Sequence, residues 1–144
     1  MKKTRVLIID GQGGRVGRQI IERIREEKID CVLTAVGTNS TATAAMLKGG
    51  ADKGATGENA VVVNAPKADI IVGPIGIVIT DALLGEITEK MAAAVGKSDA
   101  YKLLIPINQC NNLVVGVPNL TLSVLLDSTI RQFQLLLEEV FSEK

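Results

Sequence analysis

Residues 5–24 constrain the fold more than any other stretch of this chain. Arg5-Val6-Leu7-Ile8-Ile9 is a nearly continuous β-branched run, the mark of a strand buried on both faces in a parallel sheet. It passes directly into Asp10-Gly11-Gln12-Gly13-Gly14-Arg15-Val16-Gly17. Val16, Ile20, Ile21 and Ile24 then recur at helical spacing among arginines and glutamates. A buried strand, a glycine-rich turn and an amphipathic helix predict a β-turn-α unit at the head of a layered α/β domain.

The rest of the chain keeps alternating between strand and helix periods. Cys31–Val36 reads as a second strand ending at Gly37, and Thr41–Lys48 as an Ala-rich helix stopped by Gly49-Gly50. Ala51–Ala55 fits a short third strand. Thr56-Gly57-Glu58-Asn59 fits the start of a helix through Asn64, although Val61-Val62-Val63 suits a strand equally well. Ile70-Ile71-Val72 is a fourth strand, broken by Gly73-Pro74-Ile75-Gly76 and followed by a helical stretch to about Leu84. Thr88 caps a helix over Met91, Ala92 and Val95. Tyr101–Ile107 and Leu113–Val117 are the fifth and sixth strand candidates, and a long helix runs from about Thr121 to Phe141. The expected fold is a single Rossmann-like α/β domain over residues 1–144, doubly wound, with a mainly parallel sheet of five to six strands.

Composition removes several functional classes. Sixteen basic residues balance sixteen acidic ones, and Tyr101, Phe133 and Phe141 are the only aromatics. Neither a phosphate-tracking surface nor a base-stacking platform fits that, so no nucleic-acid partner is expected. The chain has no histidine and two cysteines, Cys31 and Cys110. A structural zinc site and Ser–His or Cys–His catalysis are therefore excluded, and no metal centre is expected. Proton transfer would fall to a carboxylate, a lysine or Tyr101. The apolar run from Ile70 to Ile79 holds Gly73, Pro74 and Gly76 and is too short to span a bilayer. With no secretory pattern at the start, a cytoplasmic location is expected.

In doubly wound sheets ligands sit outside the carboxyl ends of the strands, which selects the turns after Asp10, Gly37, Val72 and Ile107. Cys31 lies at the other end of its strand, so a disulfide with Cys110 is not expected. In the first turn Gly11, Gly14 and Gly17 follow G-x-x-G-x-x-G. Gly11 permits the tight turn, Gly13 or Gly14 lets phosphate oxygens approach the backbone, and Gly17 lets the helix pack closely. Helix N-terminal N–H groups then face the anion. The expected cofactor-binding set is Asp10, Gly11, Gln12, Gly13, Gly14, Arg15, Val16 and Gly17, with Gly37, Thr38 and Asn39 after the second strand and Gly73, Pro74 and Ile75 after the fourth. The plainer alternative is that these glycines serve only a tight turn and close packing. Gly14→Val is expected to abolish binding in a chain that stays folded. Asp10 would accept N–H bonds of the turn or act through a bridging Mg²⁺.

If the ligand is NAD or NADP, the end of the second strand bears on the choice. Gly37-Thr38-Asn39-Ser40 carries no carboxylate to repel a 2′-phosphate, and Arg15 lies within reach, so NADP is expected to bind at least as well as NAD. Candidate substrate residues are Glu58 as an acid or base, Asn108 as an amide donor and Cys110 as a nucleophile. Against these stand a capping-box role for the segment around Glu58 and an inert loop or buried position for Cys110. Gly49 and Gly54 have Walker A spacing, but Ala55 occupies the lysine position. The Tyr-x-x-x-Lys pattern is absent, because Lys102 directly follows Tyr101.

Gly11-Gln12-Gly13-Gly14-Arg15-Val16-Gly17-Arg18 resembles the cofactor turn of dihydrodipicolinate reductase, whose substrate-site histidines this chain lacks. A resemblance along the whole chain rests on the GQGG turn, Gly54-Ala55-Thr56-Gly57-Glu58-Asn59, Gly73-Pro74-Ile75-Gly76-Ile77 and Pro106-Ile107-Asn108-Gln109-Cys110. Together these are similar to a family of small uncharacterised bacterial proteins described only as a domain of unknown function, which implies a Rossmann-like fold and no particular activity. Three functional classes stay open: a nucleotide-binding or sensing module, an NAD(P)-dependent oxidoreductase completed by oligomerisation, and a structural oligomer with a vestigial cofactor turn. A homodimer is expected through the C-terminal helix. Leu122, Leu126, Ile130, Phe133, Leu137 and Val140 suffice there for packing on the sheet, while Leu125, Leu135, Leu136 and Phe141 widen the apolar face.

Overall fold

Alternation along the first strand explains the layering. In β1 (Arg5–Asp10) Val6 and Ile8 join one buried cluster and Leu7 and Ile9 another, so both faces of the strand need a cover. The computed structural model, which describes residues 3–107 and 111–142, covers each face with helices. After β1 come α1 (Arg15–Glu26), β2 (Val32–Gly37), α2 (Ser40–Gly49), β3 (Lys53–Thr56), α3 (Glu58–Asn64), β4 (Ile70–Pro74), α4 (Glu89–Lys97), β5 (Tyr101–Ile105) and α5 (Leu122–Glu139). The five strands are parallel, in the order β3-β2-β1-β4-β5. Ile20, Ile21 and Ile24 of α1, Met46 of α2, and Leu126, Ile130 and Phe133 of α5 close over Val6 and Ile8. Val61 of α3 and Met91, Ala92 and Val95 of α4 close over Leu7 and Ile9. The result is a doubly wound, Rossmann-like α/β arrangement, as the sequence pattern predicts.

Three of the five helix starts, those of α2, α4 and α5, are set by side-chain caps. Asn39 Oδ1 accepts the Ala42 N–H at 2.8 Å, Thr88 Oγ1 that of Met91 at 3.2 Å, and Thr121 Oγ1 that of Val124 at 3.3 Å. Each cap stabilises its helix by about 1 kcal/mol.

The undecided Val61-Val62-Val63 segment is helical. β3 and β4 lie on opposite sides of the β2–β1 pair, so the chain must cross the sheet, and parallel strands need a crossover. Val61 goes inward, while Val62 and Val63 stay exposed. Two expectations are corrected. The helical stretch to Leu84 is only a 3-10 turn, Ile75–Val78, followed by an irregular loop with Asp81, Leu83 and Leu84 at positive φ, where no right-handed helix can continue. The sixth strand over Leu113–Val117 does not form either. The Val117 N–H reaches Val114 O across a turn with Gly116 at φ 85°, and the segment bends where a ladder needs it extended.

The apolar surplus of α5 is narrower than expected. Leu125 is buried, and Leu136 and Phe141 are half-buried, while Leu135 and Val140 are exposed. The most exposed apolar side chains of this region precede the helix, with Leu113 88% and Val115 97% exposed.

Candidate functional site

Strand order reverses between β1 and β4, so the loops leaving their carboxyl ends diverge and open a crevice there. β1 ends on Asp10, whose carboxylate is buried and folds back into the glycine turn. Its Oδ1 accepts the Gly11 N–H and its Oδ2 the Gly17 N–H, each at 2.8 Å. Asp10 thus takes the first of its two expected roles, bonding the turn from inside. Burial pushes its carboxyl above the ordinary range, and the nearby charge of Glu86 adds to that. The N–H groups of Gly17, Gly11 and Val16 pull the other way without cancelling it. Among the described residues no group of three or more Asp, Glu, Cys or His side chains is arranged to hold a metal ion.

A second carboxylate reaches the turn from the loop after β4. Asp81, Leu83, Leu84 and Gly85 all have positive φ, between 56° and 89°, and the Asp81 N–H donates to Ile87 O at 2.7 Å. Leu83 and Ile87 anchor the loop in the core. Between them, Glu86 Oε1 accepts the Gln12 N–H and the Thr38 hydroxyl, both at 2.7 Å, while Oε2 accepts Asn39 Nδ2 at 3.1 Å. Partial burial pushes the Glu86 carboxyl up, but those three bonds outweigh it and hold it below the ordinary range. Gly37-Thr38-Asn39-Ser40 carries no carboxylate of its own, as read from sequence, but the loop after β4 brings one to Thr38 and Asn39. Nothing local in the sequence marks Glu86, whose partners Gln12 and Thr38 lie 74 and 48 residues away.

The turn glycines divide by duty. A Cβ on Gly11 would lie 2.5 Å from Glu86 Oε1, and one on Gly17 would lie 2.5 Å from Met46 Sδ. Gly14, at φ 70°, would drive a Cβ to 2.6 Å from Ala42 O and 2.7 Å from Ala42 Cα. It serves the contact between α1 and α2, so Gly14→Val is expected to strain the fold, against the expectation from sequence that it would leave it untouched. Gly13 differs: a Cβ there would meet nothing within 4 Å. It opens on a cleft of about 360 Å³ lined by residues 10–16 together with Ile107 and Leu122. Neither carboxylate bonds the N–H groups of Gly13 and Arg15, whereas the Gly14 N–H is taken by Gly11 O at 2.9 Å. Arg15 is exposed and makes no ion pair among the described residues.

Residues 5–138 match the family described as DUF3842, a domain of unknown function. The chain belongs to this family. That bears out the full-length resemblance to a family without an assigned activity. No curated protein matches the sequence. Among solved structures, a universal stress protein from Archaeoglobus fulgidus matches with 16% identity and a TM-score of 0.40, over 70% of this chain and 97% of that one.

In this DUF3842 domain the expected site residues fall into separate groups. Asp10 to Val16 line the cleft, and Gly17 lies buried behind them. Gly37, Thr38 and Asn39 stand beside the turn, where the Thr38 N–H donates to Asp10 O at 3.0 Å and Asn39 Nδ2 to Gln12 O at 2.9 Å. Gly73 and Pro74 are buried at the end of β4, and Ile75 opens the 3-10 turn, so none of these three lines the cleft. Glu58 is the first residue of α3 and does not line it either. No capping box forms there: Gly57 is the N-cap, and the Thr56 hydroxyl lies 2.7 Å from that of Thr43. Asn108 and Cys110 lie outside the described residues. Cys31 is buried, and burial pushes its thiol up to about 11, which makes it unreactive at neutral pH. No helix is long and apolar enough among the described residues to cross a membrane. A second cavity, of about 130 Å³, lies toward the amino ends of the strands, with Arg5, Lys53 and Lys67 in its wall.

Proposed function

We propose that the chain is a nucleotide-binding module that receives a phosphate in the cleft beside Gly13. The observation that carries this reading is the bare backbone at Gly13. Gly11, Gly14 and Gly17 each make room for a neighbour within the protein, while the missing side chain of Gly13 makes room for nothing inside it. A glycine in that position suits an external group that must approach the backbone closely. The N–H groups of Gly13 and Arg15 and the Arg15 guanidinium supply donors for the anion. Ile107 and Leu122 offer an apolar wall for the rest of the ligand. Two buried or half-buried carboxylates already occupy other N–H groups of the turn, so the phosphate is held by fewer donors than in a fully open turn.

A thermal-shift series with AMP, ADP, ATP, NAD and NADP tests this. Nucleotide at 100 times Kd stabilises the native state by about 2.7 kcal/mol. Gly13→Val is expected to leave the ligand-free melting temperature within about 2 °C of wild type, because its side chain enters open space, and to abolish the ligand shift. Wild type that melts identically with and without every nucleotide contradicts the proposal.

We also propose a homodimer, favoured by the exposed Leu113 and Val115 on the segment leading to Leu122 at the cleft wall. Light scattering at micromolar concentration is expected to give twice the chain mass of 15.2 kDa, and the single-chain mass rules the dimer out.

A further inference from the structure

We infer that Glu86 selects the ligand's ribose: the site takes a nucleotide with a free 2′-hydroxyl and rejects one phosphorylated at that position. This rests on the nucleotide reading above and adds the class of ligand.

In dinucleotide-binding folds the ribose adjoining the pyrophosphate lies at the end of the second strand, where a carboxylate accepts its hydroxyls. Here that strand end supplies Thr38 and Asn39, and the carboxylate arrives from the loop after β4. Glu86 is locked onto both side chains and onto the Gln12 N–H by bonds of 2.7 to 3.1 Å. It is thereby fixed between the ribose end and the phosphate end of the glycine turn. A carboxylate offers about four acceptor sites, and three are used, which leaves capacity for a hydroxyl donor from outside. Glu86 does not itself line the cleft, but its side chain is only half-buried and is bonded to Gln12, which does.

The same geometry disfavours a 2′-phosphate. Glu86 stays ionised at neutral pH, because the three donated bonds hold its carboxyl below the ordinary range. No lysine or arginine side chain is bonded to Glu86, Thr38 or Asn39 among the described residues. A phosphate placed there would meet like charge at short range, and Arg15, the cation expected from sequence to reach it, is bonded neither to Glu86 nor to its partners. Gly11 is part of the arrangement, since any side chain on it would collide with Glu86 Oε1. The left-handed residues at positions 81, 83, 84 and 85 present the carboxylate in this direction.

Titration calorimetry on the wild-type chain and on Glu86→Gln, with AMP against adenosine 2′,5′-bisphosphate and NAD against NADP, tests the inference. Wild type is expected to bind the member with the free 2′-hydroxyl at least ten-fold more tightly in each pair it binds. Glu86→Gln, confirmed as folded by its ligand-free melting curve, is expected to bring that ratio close to one. Equal or tighter binding of the 2′-phosphorylated member by wild type overturns the inference and leaves the nucleotide reading standing. A variant that binds both members more tightly by the same factor also overturns it, because Glu86 would then be a plug and not a reader. If wild type binds none of the four, the nucleotide reading falls and this inference falls with it.

Discussion

Replacing Gly14 with valine is expected to destabilise the domain by about 3 kcal/mol or more, the sum of a left-handed backbone that a β-branched residue resists and an overpacked contact. At φ 70° the backbone already lies where glycine is favoured, and the new Cβ would press on backbone atoms of Ala42, at 2.6 and 2.7 Å. Neither can yield alone, because Ala42 is buried and its N–H is held by the cap from Asn39. Relief would require α1 and α2 to separate, opening the packing of Met46 against Gly17. The fall in melting temperature should be roughly 10 °C. A Gly14→Val chain that melts with wild type would mean that the turn is built differently. Gly13→Val, one residue earlier, is the internal control, since the two glycines differ in surroundings and not in sequence context.

Removing the Asp10 carboxylate should have a comparable effect. In Asp10→Ala the Gly11 and Gly17 N–H groups lose their acceptors inside the protein, and each buried unpaired donor costs about 1–3 kcal/mol. Loss of a buried charge offsets part of this, because burial already disfavours the ionised form. The expected net change is about 2–4 kcal/mol in urea unfolding, within the range of those donor penalties. Asp10→Asn keeps one acceptor oxygen and turns an NH₂ toward the other donor, so it should fall between alanine and wild type. Exchange of the Gly17 amide hydrogen reads the effect directly: protection there drops in Asp10→Ala if the carboxylate is its acceptor. Unchanged protection would place the Gly17 bond elsewhere.

The fold was legible where burial leaves a periodic trace. Val6 to Ile9 read as a strand covered on both faces, and Ile20, Ile21 and Ile24 read as an inward helix stripe, because both elements carry their burial pattern locally. The cap at Thr88 is readable for the same reason. Failures came where the deciding contact is distant. Leu113 to Val117 has strand composition, yet no strand receives it among the described residues. The loop after β4 reads as helix in the sequence because its left-handed positions include Asp81, Leu83 and Leu84, none of which announces that conformation as glycine does. Glu86 follows from that loop and was invisible for the same reason. Even within the glycine turn, the spacing could not separate Gly13 from Gly14. The difference lies in Ala42, on another helix.

On the reading proposed above, the backbone at Gly13 and Arg15 receives a nucleotide phosphate. This is tested most directly by titrating ¹⁵N-labelled protein with AMP and following every amide resonance. The predicted result is a saturable shift centred on the Gly13 and Arg15 amides, reaching Ile107 and Leu122, and lost in Gly13→Val. A spectrum that stays unchanged to millimolar AMP would contradict the claim, and so would shifts confined to Arg5, Lys53 and Lys67 at the opposite end of the sheet.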